Sequence, residues 1–251
     1  LRSPHAHARI LSIDTSKAEA HPGVSAVVTG SDFPLASLGK EADGYQRLKS
    51  ATDHIMASDK VLFKGHPVAA VAASDPHVAE EAIQLINVVY QELPPVTNVL
   101  EAMKDGAQLL HDDQHTAYLG ELSEKPSNVA AHLFFEKGDV EQGFNEAEIV
   151  VEREFSTETV HQGYIEPHSS TAFWNANGQL TIWCSTQGSF MIRNSVSDVL
   201  RLPVSQVKVI PTEIGGGFGG KITAYLESVA AVLSKKCSQP VKLVMTRSEV
   251  F

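Results

Sequence analysis

A chain of 251 residues with 43% hydrophobic and 20% charged residues has the composition of a folded globular protein, not of a disordered segment. Its net charge of −10 argues against nucleic acid and against an anionic membrane surface, both of which demand clustered Lys and Arg. The two cysteines, Cys184 and Cys237, form no C-x-x-C pair, so no zinc or iron–sulfur ligand set is expected, and no apolar run reaches the roughly 18 residues of a membrane span.

Two reduced thiols fit a reducing compartment, so a cytoplasmic protein is expected. The sequence starts at Leu1 and stops just after the strand-like run at 241–245, which has nothing behind it to complete a sheet. It is therefore expected to be an excerpt of a longer protein.

In chain order, β-branched residues predict short strands at 8–13, 23–28, 61–63 and 67–72. Asp75-Pro76 then announces a helix, a preferred N-cap followed by proline at the first helical position. Val78, Ala82, Ile83 and Ile86 give that helix one apolar face. An extended run at 88–90 follows and stops at Pro94-Pro95. His5, His7, His54, His66 and His77 are scattered over different elements, no two at helix-face metal spacing, and read as surface or hydrogen-bonded histidines. Apolar periodicity falls between 105 and 128, where Gly120 and Pro126 mark a polar connector. The expected division is a first domain over 1–110, a linker over 111–128 and a second domain over 129–251.

Beyond the connector, Ile149, Val151 and Phe155 predict an extended segment. A hairpin follows, with strands at 171–174 and 180–184 around the Asn-Gly turn that ends at Gly178. The second strand delivers Ser185-Thr186-Gln187-Gly188. Ile192, Val196, Val199 and Leu200 then recur at helical spacing until Pro203, and 207–210 returns as a strand. After a glycine-rich run, Leu226, Val229, Val232 and Leu233 predict a last helix, closing at Lys235-Lys236. This order can bring the ends of two strands together, so that Gln187 and the glycine run meet one ligand from two sides.

Five of the six residues from Gly215 to Gly220 are glycine, leaving Phe218 as the one side chain. Glycines lose the most backbone freedom on folding, so such density points to positive φ or to close approach of peptide N–H groups to an anionic or oxo-rich ligand. Gly215-x-Gly217-x-x-Gly220 also satisfies a dinucleotide fingerprint, but Pro211 to Ile214 separate it from its strand and no carboxylate stands about 20 residues on. Gly220-Lys221 begins a phosphate loop, yet Ile222 replaces the hydroxyl that holds magnesium. A nucleotide-binding module using Gly215–Lys221 is therefore one alternative, and a non-catalytic scaffold another. Amide and peptide groups hold an oxo group; they are neither bases nor nucleophiles. Glu166 and His168 flank Pro167, and for them a structural or gating role is weighed above acid–base chemistry.

Taken together, these residues resemble the molybdenum-binding large subunits of the xanthine dehydrogenase and aldehyde oxidase family, which includes aerobic carbon monoxide dehydrogenase. The resemblance rests on Arg2 to Ile10, Gly65 to Val71, His161 to His168, Ser185-Thr186-Gln187 and Glu213 to Lys221, with Gln187 and Phe218 lying 31 positions apart. It implies an α+β protein: an α/β hammerhead domain followed by the first part of a mixed α/β molybdopterin-binding domain. It implies that Gln187 sits beside molybdenum without ligating it. Gly188, Gly215, Gly216, Gly217, Phe218, Gly219 and Gly220 would hold the pterin, and Phe218 and Ile222 would face the substrate pocket. The implied activity is oxidation of a small substrate (carbon monoxide, an aldehyde or an aromatic N-heterocycle) with water as oxygen source. Ile222 stands where purine-oxidising members carry Glu, which points away from purines. The general-base Glu is expected beyond Phe251, so this stretch alone would not turn over. The molybdopterin is expected in its cytosine dinucleotide form. FAD and 2Fe–2S clusters are expected on a flavin subunit and an iron–sulfur subunit, in a higher oligomer of heterotrimers.

Overall fold

The computed structural model describes residues 1–39 and 45–251. Leu1–Pro95 and Gln162–Phe251 together form one compact unit, and Val96–His161 forms a second. The first part of the first unit contains β1 (Ala8–Asp14), α1 (Ser16–Glu19), β2 (Val24–Thr29), α2 (Tyr45–Ile55), β3 (Lys60–Val61), β4 (Ala69–Ala73), α3 (Pro76–Ile83) and β5 (Asn87–Glu92). Strand β1 lies antiparallel between β3 and β5, while β2 and β4 pair as a separate antiparallel ribbon.

Helix α3 starts where the sequence announces it. The Asp75 carboxylate accepts the N–H groups of His77 and Val78 at 2.9 and 3.0 Å, pairing two of the donors that a helix start leaves open. Helix α2 has no comparable signal, because its buried face mixes Leu48 and Ile55 with Thr52 and Asp53. Asp53 tolerates burial by pairing with Lys49 one turn earlier, at 2.6 Å.

His66 is fully buried, with Nε2 donating to the Asp53 carbonyl at 2.5 Å and Nδ1 accepting the Leu62 N–H at 3.2 Å. Both ring nitrogens serve the neutral imidazole, and burial lowers its pKa to about 4. The unfolded chain binds this proton near the ordinary value, about 6.5. Stability from the neutral His66 is thus complete above pH 6.5 and falls as pH drops toward 4, by about 3 kcal/mol in all. His54, lowered in the same direction by burial, adds to the same slope. Urea midpoints measured between pH 7 and pH 4.5 are expected to decline in the wild type and to lose most of that decline in His66→Gln.

In the second unit α4 (Val99–Ala102), β6 (His115–Ala117), β7 (Leu122–Pro126) and α5 (Val140–Glu146) are short, and β6 and β7 pair antiparallel. The extended segment expected around Ile149 to Phe155 forms no strand. Its β-branched residues have no paired neighbour, and alternation without a partner makes no ladder.

The rest of the first unit runs β8 (Ser169–Trp174), β9 (Leu180–Cys184), α6 (Ser189–Leu200), β10 (Val207–Pro211), α7 (Glu227–Cys237), β11 (Val241–Val244) and α8 (Arg247–Val250). The sheet order is β10-β9-β8-β11. Strand β11 joins the sheet at one edge by pairing antiparallel with β8. Helix α7 is buried nearly all round: Val229, Ala230 and Leu233 share one core with Ala26 and Val28 of β2 and with Ala172 and Ile182 of the four-stranded sheet. Each of the Val, Leu and Ile side chains contributes about 1.5–3 kcal/mol of burial, and each alanine methyl less.

Strands β9 and β10 are parallel and α6 crosses between them, which makes a βαβ unit. Their carboxyl ends therefore lie side by side, Cys184 opposite Pro211. Whatever follows each strand emerges at the same edge of the sheet.

Candidate functional site

The two segments that emerge there are 185–188 and 212–221, and hydrogen bonds join them. The Lys221 carbonyl accepts both the Gln187 N–H and the Thr186 hydroxyl, each at 2.9 Å. Gln187 Oε1 accepts the N–H groups of Gly219 at 3.0 Å and Lys221 at 3.3 Å. Two donors on one amide oxygen fix which way the amide faces. Nε2, a donor only, is left without a protein acceptor among the described residues.

The glycines are required by this packing. A Cβ at Gly217 would lie 2.4 Å from Gln187 Oε1, one at Gly215 2.6 Å from Glu166 Cβ, and one at Gly220 2.6 Å from the Tyr164 ring. Gly216 and Gly219 have φ of +93° and +91°. Phe218 also lies in the left-handed region, at φ 50°, where a side chain costs about 1–2 kcal/mol. Its ring is nonetheless 73% exposed, so burial does not offset that cost.

Within the loop, Gly215 N–H goes to Glu166 Oε2 at 2.7 Å and Gly220 N–H to the Gly217 carbonyl at 2.7 Å. The N–H groups of Gly216, Gly217 and Phe218 have no acceptor among the described residues. Three consecutive peptide donors beside an outward amide donor suit a ligand rich in anionic or oxo oxygens. No group of three His, Cys, Asp or Glu side chains among the described residues is placed to hold a metal ion. The donors here address a ligand's oxygens, not a bare cation.

Lys221 closes the loop from inside. Its side chain is fully buried, with Nζ donating to Glu166 Oε2 at 2.5 Å and lying 5.2 Å from the centre of the Tyr164 ring. Partial burial pushes the Glu166 carboxyl up, but the Lys221 ammonium and the Gly215 N–H outweigh it and hold the group below the usual carboxylate range. Glu166 is thus an ionised anchor, and the His168 Nε2 is joined to the Tyr164 hydroxyl at 2.9 Å. The same Lys221 geometry removes the phosphate-loop alternative. An ammonium buried against a carboxylate does not reach out to phosphates, and the helix that follows the loop, α7, begins only at Glu227 rather than within the loop as a phosphate loop requires.

Of the residues expected at the site, Gln187, Gly215, Gly217 and Gly219 are brought into direct contact with one another or with their anchors. Gly188 caps α6 and donates its N–H to Thr186 at 3.0 Å, and Ile222 follows Lys221 half-buried. Sequence reasoning missed Tyr164, which floors the loop, and Glu227, buried at the start of α7. Glu227 accepts the N–H groups of Tyr225 and Leu226 at 2.9 and 3.1 Å, and burial raises its carboxyl. Burial likewise pushes up the Cys184 thiol that shares a hydrogen bond with it. A buried carboxylate at the first position of a helix was the available signal, since acidic residues favour that end.

Residues 1–94 match a family model described as the aldehyde oxidase and xanthine dehydrogenase a/b hammerhead domain, and residues 122–251 one described as the molybdopterin cofactor-binding domain. The chain is 38% identical to the carbon monoxide dehydrogenase large chain of Afipia carboxidovorans, over 99% of this chain and 31% of that one. It is 33% identical to the nicotinate dehydrogenase large molybdopterin subunit of Eubacterium barkeri, over 99% of this chain and 54% of that one. Among solved structures, quinoline 2-oxidoreductase from Pseudomonas putida superposes with a TM-score of 0.77 at 30% identity, covering 100% of this chain and 31% of its own. The chain thus spans only about a third of the length of the first of these relatives.

Proposed function

The chain belongs to the xanthine dehydrogenase and aldehyde oxidase family of molybdopterin-binding proteins, and from that premise we propose that its loops hold the cofactor of a molybdenum hydroxylase. The observation that carries this reading is the run of uncommitted N–H groups at Gly216, Gly217 and Phe218, next to a Gln187 amide whose oxygen is already taken. These donors fit a pterin and an oxygen-bearing metal centre. The cofactor, when bound, supplies the Lewis acidity and two-electron chemistry. The chain's share is positional: Gln187 Nε2 donates to a cofactor oxygen, Gly188 and the loop from Gly215 to Gly220 cradle the pterin, and Phe218 and Ile222 line the substrate side.

We assign the hammerhead to 1–110, the linker to 111–128 and the cofactor-binding part to 129–251. The substrate class is a small oxidisable carbon centre (carbon monoxide, an aldehyde or an aromatic N-heterocycle), with water as oxygen source and the general base beyond Phe251. The apolar Ile222 beside the loop disfavours a purine. Electrons pass to 2Fe–2S and FAD groups on partner subunits in a cytoplasmic assembly of heterotrimers, and the pterin is the cytosine dinucleotide form.

Gln187→Glu tests this in the full-length protein purified with its partner subunits. The carboxylate still accepts the Gly219 and Lys221 N–H groups, so the fold and the bound molybdenum are expected to persist. The donor toward the cofactor is lost, and kcat is expected to fall by about 100-fold or more. Unchanged turnover would remove Gln187 from the site.

A further inference from the structure

We propose that Glu166 is a positioning residue that decides which N–H groups of the glycine loop stay free for the ligand; the ligand's identity rests on the function proposed above, while the positioning does not. One oxygen, Glu166 Oε2, takes two donors from opposite ends of the loop, the Gly215 N–H at 2.7 Å and the Lys221 ammonium at 2.5 Å. The Glu166 N–H in turn donates to the Gly215 carbonyl at 3.3 Å. First and last residues of the loop are thereby tied to one point. Gln187 Oε1 takes the N–H groups of Gly219 and Lys221, and those of Gly216, Gly217 and Phe218 are what remains.

Glu166 can act as a fixed point because its own strip of chain is held. The Arg247 guanidinium donates to the carbonyl of Tyr164 at 3.1 Å and to that of Ile165. The Tyr164 ring sits where a side chain at Gly220 would stand, so it limits the loop from below. Arg247 lies in α8, whose Glu249 accepts from Arg2 at 2.7 Å, which ties the strip to the start of the chain. The charge of Glu166 is essential to the device. A neutral amide oxygen could accept the same two donors, as Gln187 Oε1 does, but it would leave the buried Lys221 ammonium with no counter-charge to hold it there.

The test is amide hydrogen exchange on the full-length protein, loaded and cofactor-free, comparing wild type with Glu166→Gln and Glu166→Asp. In the cofactor-free protein both variants are expected to exchange the amides of Gly215, Gly219, Gly220 and Lys221 on the order of tenfold faster, with β8, β9 and α7 unchanged. Molybdenum content is expected to fall in both. Loop exchange equal to wild type, or acceleration spread evenly over the sheet, would overturn the proposal. If Glu166→Gln does not fold, Glu166→Gln with Lys221→Met removes the unpaired cation; a loop still fast restates the role, and a loop as protected as wild type rejects it. A wild type that exchanges as expected yet binds no molybdenum would sink the proposed function and leave the positioning role standing.

Discussion

Replacing Gly217 by alanine is expected to leave the four-stranded sheet intact and to strip the full-length protein of its molybdenum. The added Cβ would lie 2.4 Å from Gln187 Oε1 and 2.7 Å from Cδ, distances no real contact reaches. Gln187 is exposed and can swing away, so the clash is relieved at the expense of its bonds to the Gly219 and Lys221 N–H groups. Each loss costs about 1 kcal/mol, small against the stability of a domain but enough to release the loop. Gly219→Ala is the control. A Cβ there meets nothing within 4 Å, and only the strain of φ +91° is added, about 1–3 kcal/mol. Molybdenum measured per chain by mass spectrometry, alongside the urea midpoint, is expected to drop sharply in Gly217→Ala and distinctly less in Gly219→Ala, which keeps Gln187 in place.

The second large effect is an asymmetry at the Lys221–Glu166 pair. Glu166→Ala leaves an ammonium in a fully buried position with no counterion, and breaking a buried pair from one side costs about 3–5 kcal/mol. Lys221→Met instead removes the charge that needed a partner, and Glu166, 34% exposed, keeps its Gly215 hydrogen bond and some water. It is expected to cost far less. The pH dependence carries the same signature. A carboxyl held below its ordinary range contributes stability above its unfolded pKa and loses it as pH falls through the folded one. The acid limb of the urea midpoint is therefore expected to be shallower in both variants than in wild type. Equal destabilisation by the two substitutions would show that Lys221 is not buried with Glu166 as its partner.

Much of the fold was legible because local signals coincide with tertiary ones. Asp75-Pro76 both caps α3 and marks its start, and the Asn-Gly turn at Gly178 sets the β8–β9 hairpin. The convergence of Gln187 with the glycine loop was legible for the same reason, since a strand–helix–strand order dictates parallel neighbours with adjacent ends. What escaped was decided by partners distant in sequence. Helix α2 buries Thr52 and Asp53, which no apolar periodicity reveals, and the Ile149 to Phe155 run has β-forming residues but no strand beside it. Lys221 escaped differently. A lysine after glycines matches a phosphate loop, and only a carboxylate 55 positions earlier shows that its charge is spent internally.

All of this rests on one guest shared by the Gln187 amide and the free donors of the glycine loop. Metal analysis with pterin fluorescence on the full-length protein, purified together with its neighbouring subunits from molybdenum-replete cells, tests it most directly. The account predicts stoichiometric molybdenum and a fluorescent oxidised pterin, both lost in Gly217→Ala. Wild-type protein that carries neither, and binds ATP instead, would contradict it.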